Sequence, residues 1–250
     1  MRFPKSLLAL SAAFVLFAQP VPAQQKDAFS PEQKQQLETL VRDILVKNPQ
    51  ILVEAMQALE EQQQQQRMQA ASSAIKRNAK AIFDDGVSFV AGNPKGDATL
   101  VEFFDYRCGY CKQMQPAMLA LLKDDPKLRV VFKELPVLGP DSVIASRAAI
   151  AAMQQPGGKY LAYHNTMMAF NGKLDEAQVF RMAKEAGLDT DKLKAEMASS
   201  RTTGIIQENL KLAEMLGIEG TPGFIIGDTL VPGATSPDML RMLIRKARGQ

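Results

Sequence analysis

The fold turns on one stretch: Thr99-Leu-Val-Glu-Phe-Phe-Asp105, then Tyr106-Arg107-Cys108-Gly109-Tyr110-Cys111, then Lys112-Gln-Met-Gln-Pro-Ala-Met-Leu-Ala-Leu-Leu122. The first run is apolar, β-branched and aromatic and reads as a buried strand. The last reads as a helix, with Pro116 expected to kink it. Cys108 and Cys111 are the only cysteines in the chain, and they fall where the strand ends and the helix begins. The first turn of a helix has unpaired N–H groups and a partial positive charge. A thiolate at Cys108 is stabilised there, and the thiolate is the form that attacks disulfides. Two cysteines within one helical turn can also close a disulfide with each other, so one site can take up or return two electrons.

Two other readings of the pair are open. As a structural staple it closes so short a loop that it constrains little of the unfolded chain. As structural zinc it lacks ligands, because such sites take four, usually Cys and His, and the chain has two cysteines and one histidine. Two soft thiolates do suit Cu(I), so copper at Cys108 and Cys111 stands as an alternative. No cofactor is called for.

Residues 1–23 read as a secretory signal peptide. Arg2 and Lys5 form a basic start, and Leu7–Phe17 is an apolar run of 11 residues, too short to span a bilayer. Val21-Pro-Ala23 supplies small residues at a cleavage position near Ala23. The alternative is an uncleaved anchor. Cleavage leaves about 227 residues, enough for one main domain and a smaller appendage. It also removes two of the charges behind the net +3, so the mature chain is nearly neutral and carries no electrostatic footprint for nucleic acid. An exported chain with a single close cysteine pair points to redox chemistry rather than to a disulfide scaffold.

Residues 24–60 read as a helical segment. Ser30-Pro31-Glu32-Gln33 is a helix start with a capping box, and Leu37, Leu40, Val41, Ile44 and Leu45 recur at helical spacing. Asn48-Pro49 separates this helix from a second that carries Ile51, Leu52, Ala55, Met56 and Leu59. Such short helices cannot bury their apolar stripes alone, so homo-oligomerisation through residues 30–60, as a dimer or trimer, is expected. The alternative packs them back on the main domain. Residues 61–83, opening on Gln62–Gln66, read as a linker, either solvated helix or flexible tether.

The main domain is placed at 84–250. Val87–Ala91 reads as an edge strand, and Leu128–Leu135 as a second buried strand, which with the first and its helix makes a βαβ unit. A helical region of about 139–217 follows, in segments near 142–154, 159–170, 175–186, 189–199 and 203–216. After Thr221-Pro222-Gly223, Phe224–Val231 reads as a hairpin turning at Gly227-Asp228. Ser236-Pro237 starts a last helix with Met239, Leu240, Leu243 and Ile244 on its buried face.

The order of strand, CxxC, helix, helical insertion, Thr-Pro, hairpin and closing helix resembles the thioredoxin superfamily, and within it the exported DsbA-like oxidoreductases. The N-terminal Ser-Pro-Glu-Gln helix and the Asn-Pro-Gln-Ile-Leu start of the next resemble the suppressor-of-copper-sensitivity protein C subgroup. The resemblance implies an α/β thioredoxin fold with a helical insertion plus an N-terminal α-helical oligomerisation segment, in a periplasmic protein. It implies Cys108 as the exposed nucleophile, Cys111 as the buried resolving thiol, and Gly109 and Tyr110 as residues that tune the thiolate. It implies Thr221-Pro222 as a cis-proline loop against the CxxC, with the Thr221 backbone free to pair with an extended substrate. It also implies that Glu102 and Lys133 form a buried charged pair beneath Cys111 that relays its proton. Gly-Tyr between the cysteines departs from DsbA, whose dipeptide contains a histidine, and this argues against strong oxidase character. His164, the only histidine, reads as a packing or surface residue.

These readings predict a thiol:disulfide interchange enzyme that isomerises or reduces disulfides of unfolded or misfolded exported proteins, with a membrane thiol-redox partner. A dithiol oxidase and a copper-tolerance protein are the alternatives.

Overall fold

The computed structural model describes residues 29–250; the signal-peptide reading of 1–23 lies outside them. The chain divides into two units, 1–58 and 59–250.

In the first unit, α1 (Pro31–Lys47) begins as its sequence dictates. Ser30 Oγ accepts from the Gln33 N–H at 3.2 Å, Gln33 Oε1 accepts from the Ser30 N–H at 2.8 Å, and Pro31 occupies the first turn. No residue of α1 is buried. Leu37, Leu40, Val41 and Ile44, and Ile51, Leu52 and Met56 on the start of α2 (Gln50–Arg77), all stand exposed. The helix α2 includes the glutamine run, Gln62–Gln66. Glutamine is a fair helix former.

The second unit is built on a five-stranded sheet of order β1-β3-β2-β4-β5, comprising β1 (Phe89–Gly92), β2 (Ala98–Phe104), β3 (Leu128–Glu134), β4 (Gly223–Ile226) and β5 (Thr229–Pro232). The strands β2 and β3 are parallel and joined by α4 (Gly109–Asp124); the other pairings are antiparallel. The edge strand and the hairpin turn at Gly227-Asp228 fall where the sequence puts them. Both faces of the sheet are covered, which is why its central strands are apolar at nearly every position. Side chains alternate between the faces. Leu100, Phe104, Val130, Phe132 and Phe224 join one core with α4 and with the helices α5 (Pro140–Met153), α6 (Tyr160–Ala169), α7 (Glu176–Glu185) and α8 (Thr190–Met197). Val101, Phe103, Val131 and Ile225 join a second core with α9 (Ser200–Leu216). The close approach of β1 to β3 needs a glycine at Gly92: φ is +73°, and a Cβ there would lie 2.4 Å from the Leu128 carbonyl.

Two expectations need correction. The main domain does not start at Asp84: Ala74, Ile75 and Ile82, from the end of α2 and from α3 (Ala79–Phe83), are buried in the second core. The supposed linker therefore closes one face of the sheet with its last turns. In α10 (Pro237–Ala247), Leu240, Leu243 and Ile244 are buried but Met239 is exposed. It sits in the first turn, capped by Ser236 Oγ, at the edge of the apolar stripe.

Ile75→Ala is expected to destabilise the protein by about 2–5 kcal/mol, the range for a fully buried aliphatic side chain reduced to alanine. Urea unfolding measures it; a change within error means that α2 does not close this face.

Candidate active site

Cys108 is the N-cap of α4, with extended backbone (φ −72°, ψ 116°). The local sequence builds this. The strand β2 ends at Phe104, Asp105 turns the chain, and the Cys108 N–H donates to the Asp105 carbonyl at 3.0 Å. The sulfur then faces the first turn of the helix and accepts from the Cys111 N–H at 3.4 Å. Both thiols are free. The resemblance implied an exposed nucleophile, but Cys108 is only 5% exposed and Cys111 is fully covered.

The two sulfurs differ sharply in acidity. The Cys111 thiol donates to the Cys108 sulfur, and this is the largest cause holding Cys108 at about 5. The Thr221 side chain and the backbone N–H groups of Cys111 and Tyr110 lower it further, against the penalty of burial. The same shared proton, then burial, push Cys111 far up. Hydrogen bonding to the charged form and desolvation thus act with opposite sign on neighbouring atoms.

The Thr221-Pro222 bond is cis. It brings the Thr221 carbonyl within 3.1 Å of Cys108 Sγ, where it accepts from the neutral thiol. The Pro222 carbonyl accepts from the Gly233 N–H at 2.8 Å and so is tied to the end of β5. Between them lies a groove of about 530 Å³ lined by Tyr110, Ile218, Thr221, Leu230 and Pro232. Tyr110 is 63% exposed at its rim. A side chain at Gly109 would meet only open space.

Glu102 and Lys133 do not form the expected pair. Glu102 lies opposite Phe132 and Lys133 opposite Phe103 in the parallel register, so the two side chains point to opposite faces of the sheet. Lys133 Nζ instead donates to Asp85 Oδ2 at 2.7 Å and to Ser88 Oγ at 3.1 Å, on the face away from the cysteines. Glu102 stays on the α4 face. It is 1% exposed, and neither carboxylate oxygen has a hydrogen-bond partner. Burial, and then the charge on Cys108, push its pKa up to about 8.

The sequence reading missed three polar groups, two buried and one, Asp85, half-buried. Asp105 accepts four hydrogen bonds through its carboxylate. Glu134 accepts from the Tyr160 hydroxyl at 3.1 Å and is pushed up to about 8 by burial. Asp85 holds Lys133. No spacing or motif marks them, because each acts through register and through loops distant in sequence. His164 is fully buried, as a packing residue: its Nδ1 lies 2.9 Å from the Tyr106 hydroxyl and burial lowers its pKa to about 3. Among the described residues no cluster of three or more His, Cys, Asp or Glu is placed to hold a metal ion, and no helix is long and apolar enough to cross a membrane.

Residues 99–245, more than half of the chain, match the family model for the DSBA-like thioredoxin domain. The chain belongs to the DsbA-like thioredoxin family. Its fold is therefore a thioredoxin fold with a helical insertion, and its family is one of thiol:disulfide oxidoreductases. Residues 33–66 match the model for the copper resistance protein ScsC N-terminal domain. A linker-deletion mutant of Proteus mirabilis ScsC is 31% identical, covering 90% of this chain and 99% of that one, with a TM-score of 0.67. A thioredoxin-like oxidoreductase from Silicibacter pomeroyi is 43% identical over 68% of this chain and 98% of its own, with a TM-score of 0.66. Salmonella enterica Typhimurium BcfH is 30% identical, covering 87% and 97%, with a TM-score of 0.75. Among curated proteins, an NhaA sodium/proton antiporter from Salinispora tropica is 32% identical over 55% of this chain; the chain spans about a fifth of that relative's length.

A carboxyl group whose pKa is raised by burial costs stability as pH climbs past its unfolded value near 4.5, and the cost is complete above about 8. Glu102→Gln is therefore expected to stabilise the protein more at pH 8 than at pH 5, measured by denaturant unfolding at both. An equal effect at the two pH values means that Glu102 ionises normally.

Proposed function

We propose that the protein is an exported thiol:disulfide interchange enzyme that isomerises or reduces disulfides in unfolded or misfolded proteins of the periplasm. The observation that carries this is the opposed acidity of the two sulfurs, one ionised at neutral pH and the other held as a thiol. The Cys108 thiolate attacks one sulfur of a substrate disulfide. A Cys108–substrate bond forms, the substrate S–S bond breaks, and the other substrate sulfur leaves as a thiolate. From this mixed disulfide two outcomes follow. A substrate thiolate attacks the substrate sulfur bound to Cys108, which forms a new substrate disulfide and releases Cys108 as thiolate, with no net transfer of electrons. Alternatively Cys111 gives up its proton and attacks Cys108 Sγ; the Cys108–Cys111 disulfide forms and the substrate leaves with two electrons. A membrane thiol-redox partner then returns those electrons.

Glu102 supports the second branch. It is buried on the α4 face with free lone pairs and a pKa near neutrality, as a group that takes the Cys111 proton needs. Lys133, bonded to Asp85 on the other face, takes no part. The groove beside Thr221, lined by Ile218, Leu230 and Pro232 with Glu219 among them, offers room for an extended polypeptide. Likeness to a periplasmic thioredoxin-like protein from Salmonella enterica supports export.

The exposed apolar residues of α1 and early α2 support a role for residues 30–60 as a homo-oligomer contact. Holding several sites together favours isomerisation, and the crowding keeps Cys108 from an oxidising partner. Cu(I) binding by Cys108 and Cys111 is the second reading, favoured by the match of residues 33–66 to the copper resistance protein domain.

Deleting residues 24–60, which leaves Ala74 and Ile75 in place, is expected to give a folded monomer by sedimentation. That monomer keeps insulin-reducing activity and loses reactivation of scrambled ribonuclease. Retained isomerase activity in a proven monomer contradicts the role given to α1, and efficient oxidation of reduced protein with no reactivation by the full chain indicates an oxidase.

A further inference from the structure

We propose that Asp105 is the positioning residue of this site: one buried carboxylate that fixes together the turn carrying Cys108 and the apolar loop Val137-Leu138 beside it. The proposal rests on reading Cys108 as the nucleophile.

Asp105 is fully buried at the end of β2. Its Oδ1 accepts from the Arg107 backbone N–H at 2.7 Å and from the Ser142 hydroxyl at 2.8 Å. Its Oδ2 accepts from the N–H groups of Val137 at 2.9 Å and Leu138 at 3.0 Å. The four donors come from three segments: the pre-cysteine turn, the loop after β3, and the first turn of α5. Two further bonds close the arrangement. The Asp105 carbonyl accepts from the Cys108 N–H, and Arg107 Nη1 donates to the Leu138 carbonyl at 2.6 Å. The loop so held presents Val137 and Leu138, 47% and 44% exposed, on the side of the turn that Arg107 reaches. The charged and titratable groups around Asp105 are Arg107 and Cys108 on its own turn, Cys111 and Lys112 on α4, and Glu134 on β3.

A carboxylate is the only side chain of this size that accepts on both ends. An asparagine cannot replace it by rotating, because its NH₂ meets two donors whichever way the amide faces. Asp105→Asn therefore loosens both segments at once. Loosening the turn moves Cys108 away from the helix N–H groups and from Cys111, and loosening the loop frees the exposed apolar pair Val137 and Leu138, which a polypeptide substrate can contact and a small disulfide cannot. Electrostatics alone gives the opposite sign for the thiol, since loss of a neighbouring negative charge favours the thiolate.

The test is the pH profile of Cys108 alkylation in the wild type, Asp105→Asn and Ser142→Ala, with kcat/KM measured on a disulfide-bonded unfolded protein and on glutathione disulfide. Asp105→Asn is expected to raise the Cys108 midpoint by at least one pH unit. It should also lower kcat/KM for the protein substrate at least tenfold, and by more than for glutathione disulfide. Ser142→Ala removes one donor without touching the turn and should shift both readouts in the same direction by less. Where Asp105→Asn does not fold, Ser142→Ala decides. An unchanged or lowered midpoint with an unchanged substrate ratio, beside a loss of thermal stability alone, makes Asp105 a scaffold residue and overturns the proposal. A wild-type midpoint equal to that of free cysteine defeats instead the reading of Cys108 on which it stands.

Discussion

One proton shared between two sulfurs organises this molecule. Cys108 caps α4 with its own side chain, and the helix N–H groups that would otherwise lack partners point at its sulfur. The Cys111 proton lies on the same atom. This favours charge on Cys108 and neutrality on Cys111, so the pair divides into one ionised and one neutral sulfur. The β2–α4 junction, the cis Thr221-Pro222 loop and the covering insertion all hold that geometry in a site dry enough for the hydrogen bonds to count.

The sheet separates two kinds of buried charge. On one face Lys133 is neutralised by Asp85 and also donates to the Ser88 hydroxyl, an arrangement that fastens the segment before β1 to the sheet. On the other face Glu102 is left without a partner. A fully buried carboxyl group with no hydrogen bond is costly, and the cost is lowered by protonation, which is why its pKa moves toward neutrality. That is the protonation behaviour a group beneath the resolving thiol needs. The residue that a charged-pair scheme would place beside it belongs to a different part of the structure.

Much of this was legible in the sequence. The CxxC after an apolar run, the capping box at Ser30, the hairpin at Gly227-Asp228 and the separated insert helices all rest on local periodicity and capping, and each lies where expected within a few residues. What was not legible depends on register. Whether residues 102 and 133 share a face follows from the pairing of Glu102 with Phe132, and an offset of one residue in either strand reverses the answer. Asp105 looks like an ordinary turn former, and its four donors come from up to 37 positions away. The glutamine run reads equally as coil or helix, and only the docking of Ala74 and Ile75 beyond it marks the end of α2 as part of the domain. Met239 fits the helical period but sits in the first turn, at the border of the buried stripe.

The most direct measurement compares the unfolding free energy of the reduced and the disulfide-bonded protein across pH. Cys108 titrates at about 5 in the folded reduced form, against about 9 for an ordinary cysteine. Its contribution is therefore complete above pH 9 and is lost as pH falls through 5. Cys111 stays a thiol in the folded form and begins to ionise in the unfolded form only as pH nears 9, where it offsets any further gain. The account predicts that the stability of the reduced form relative to the oxidised form climbs between pH 5 and pH 8, with a slope approaching one proton per molecule, and levels off near pH 9. A difference that stays flat until pH 9 would mean that Cys108 behaves as a free thiol, and the division of labour between the two sulfurs would not exist.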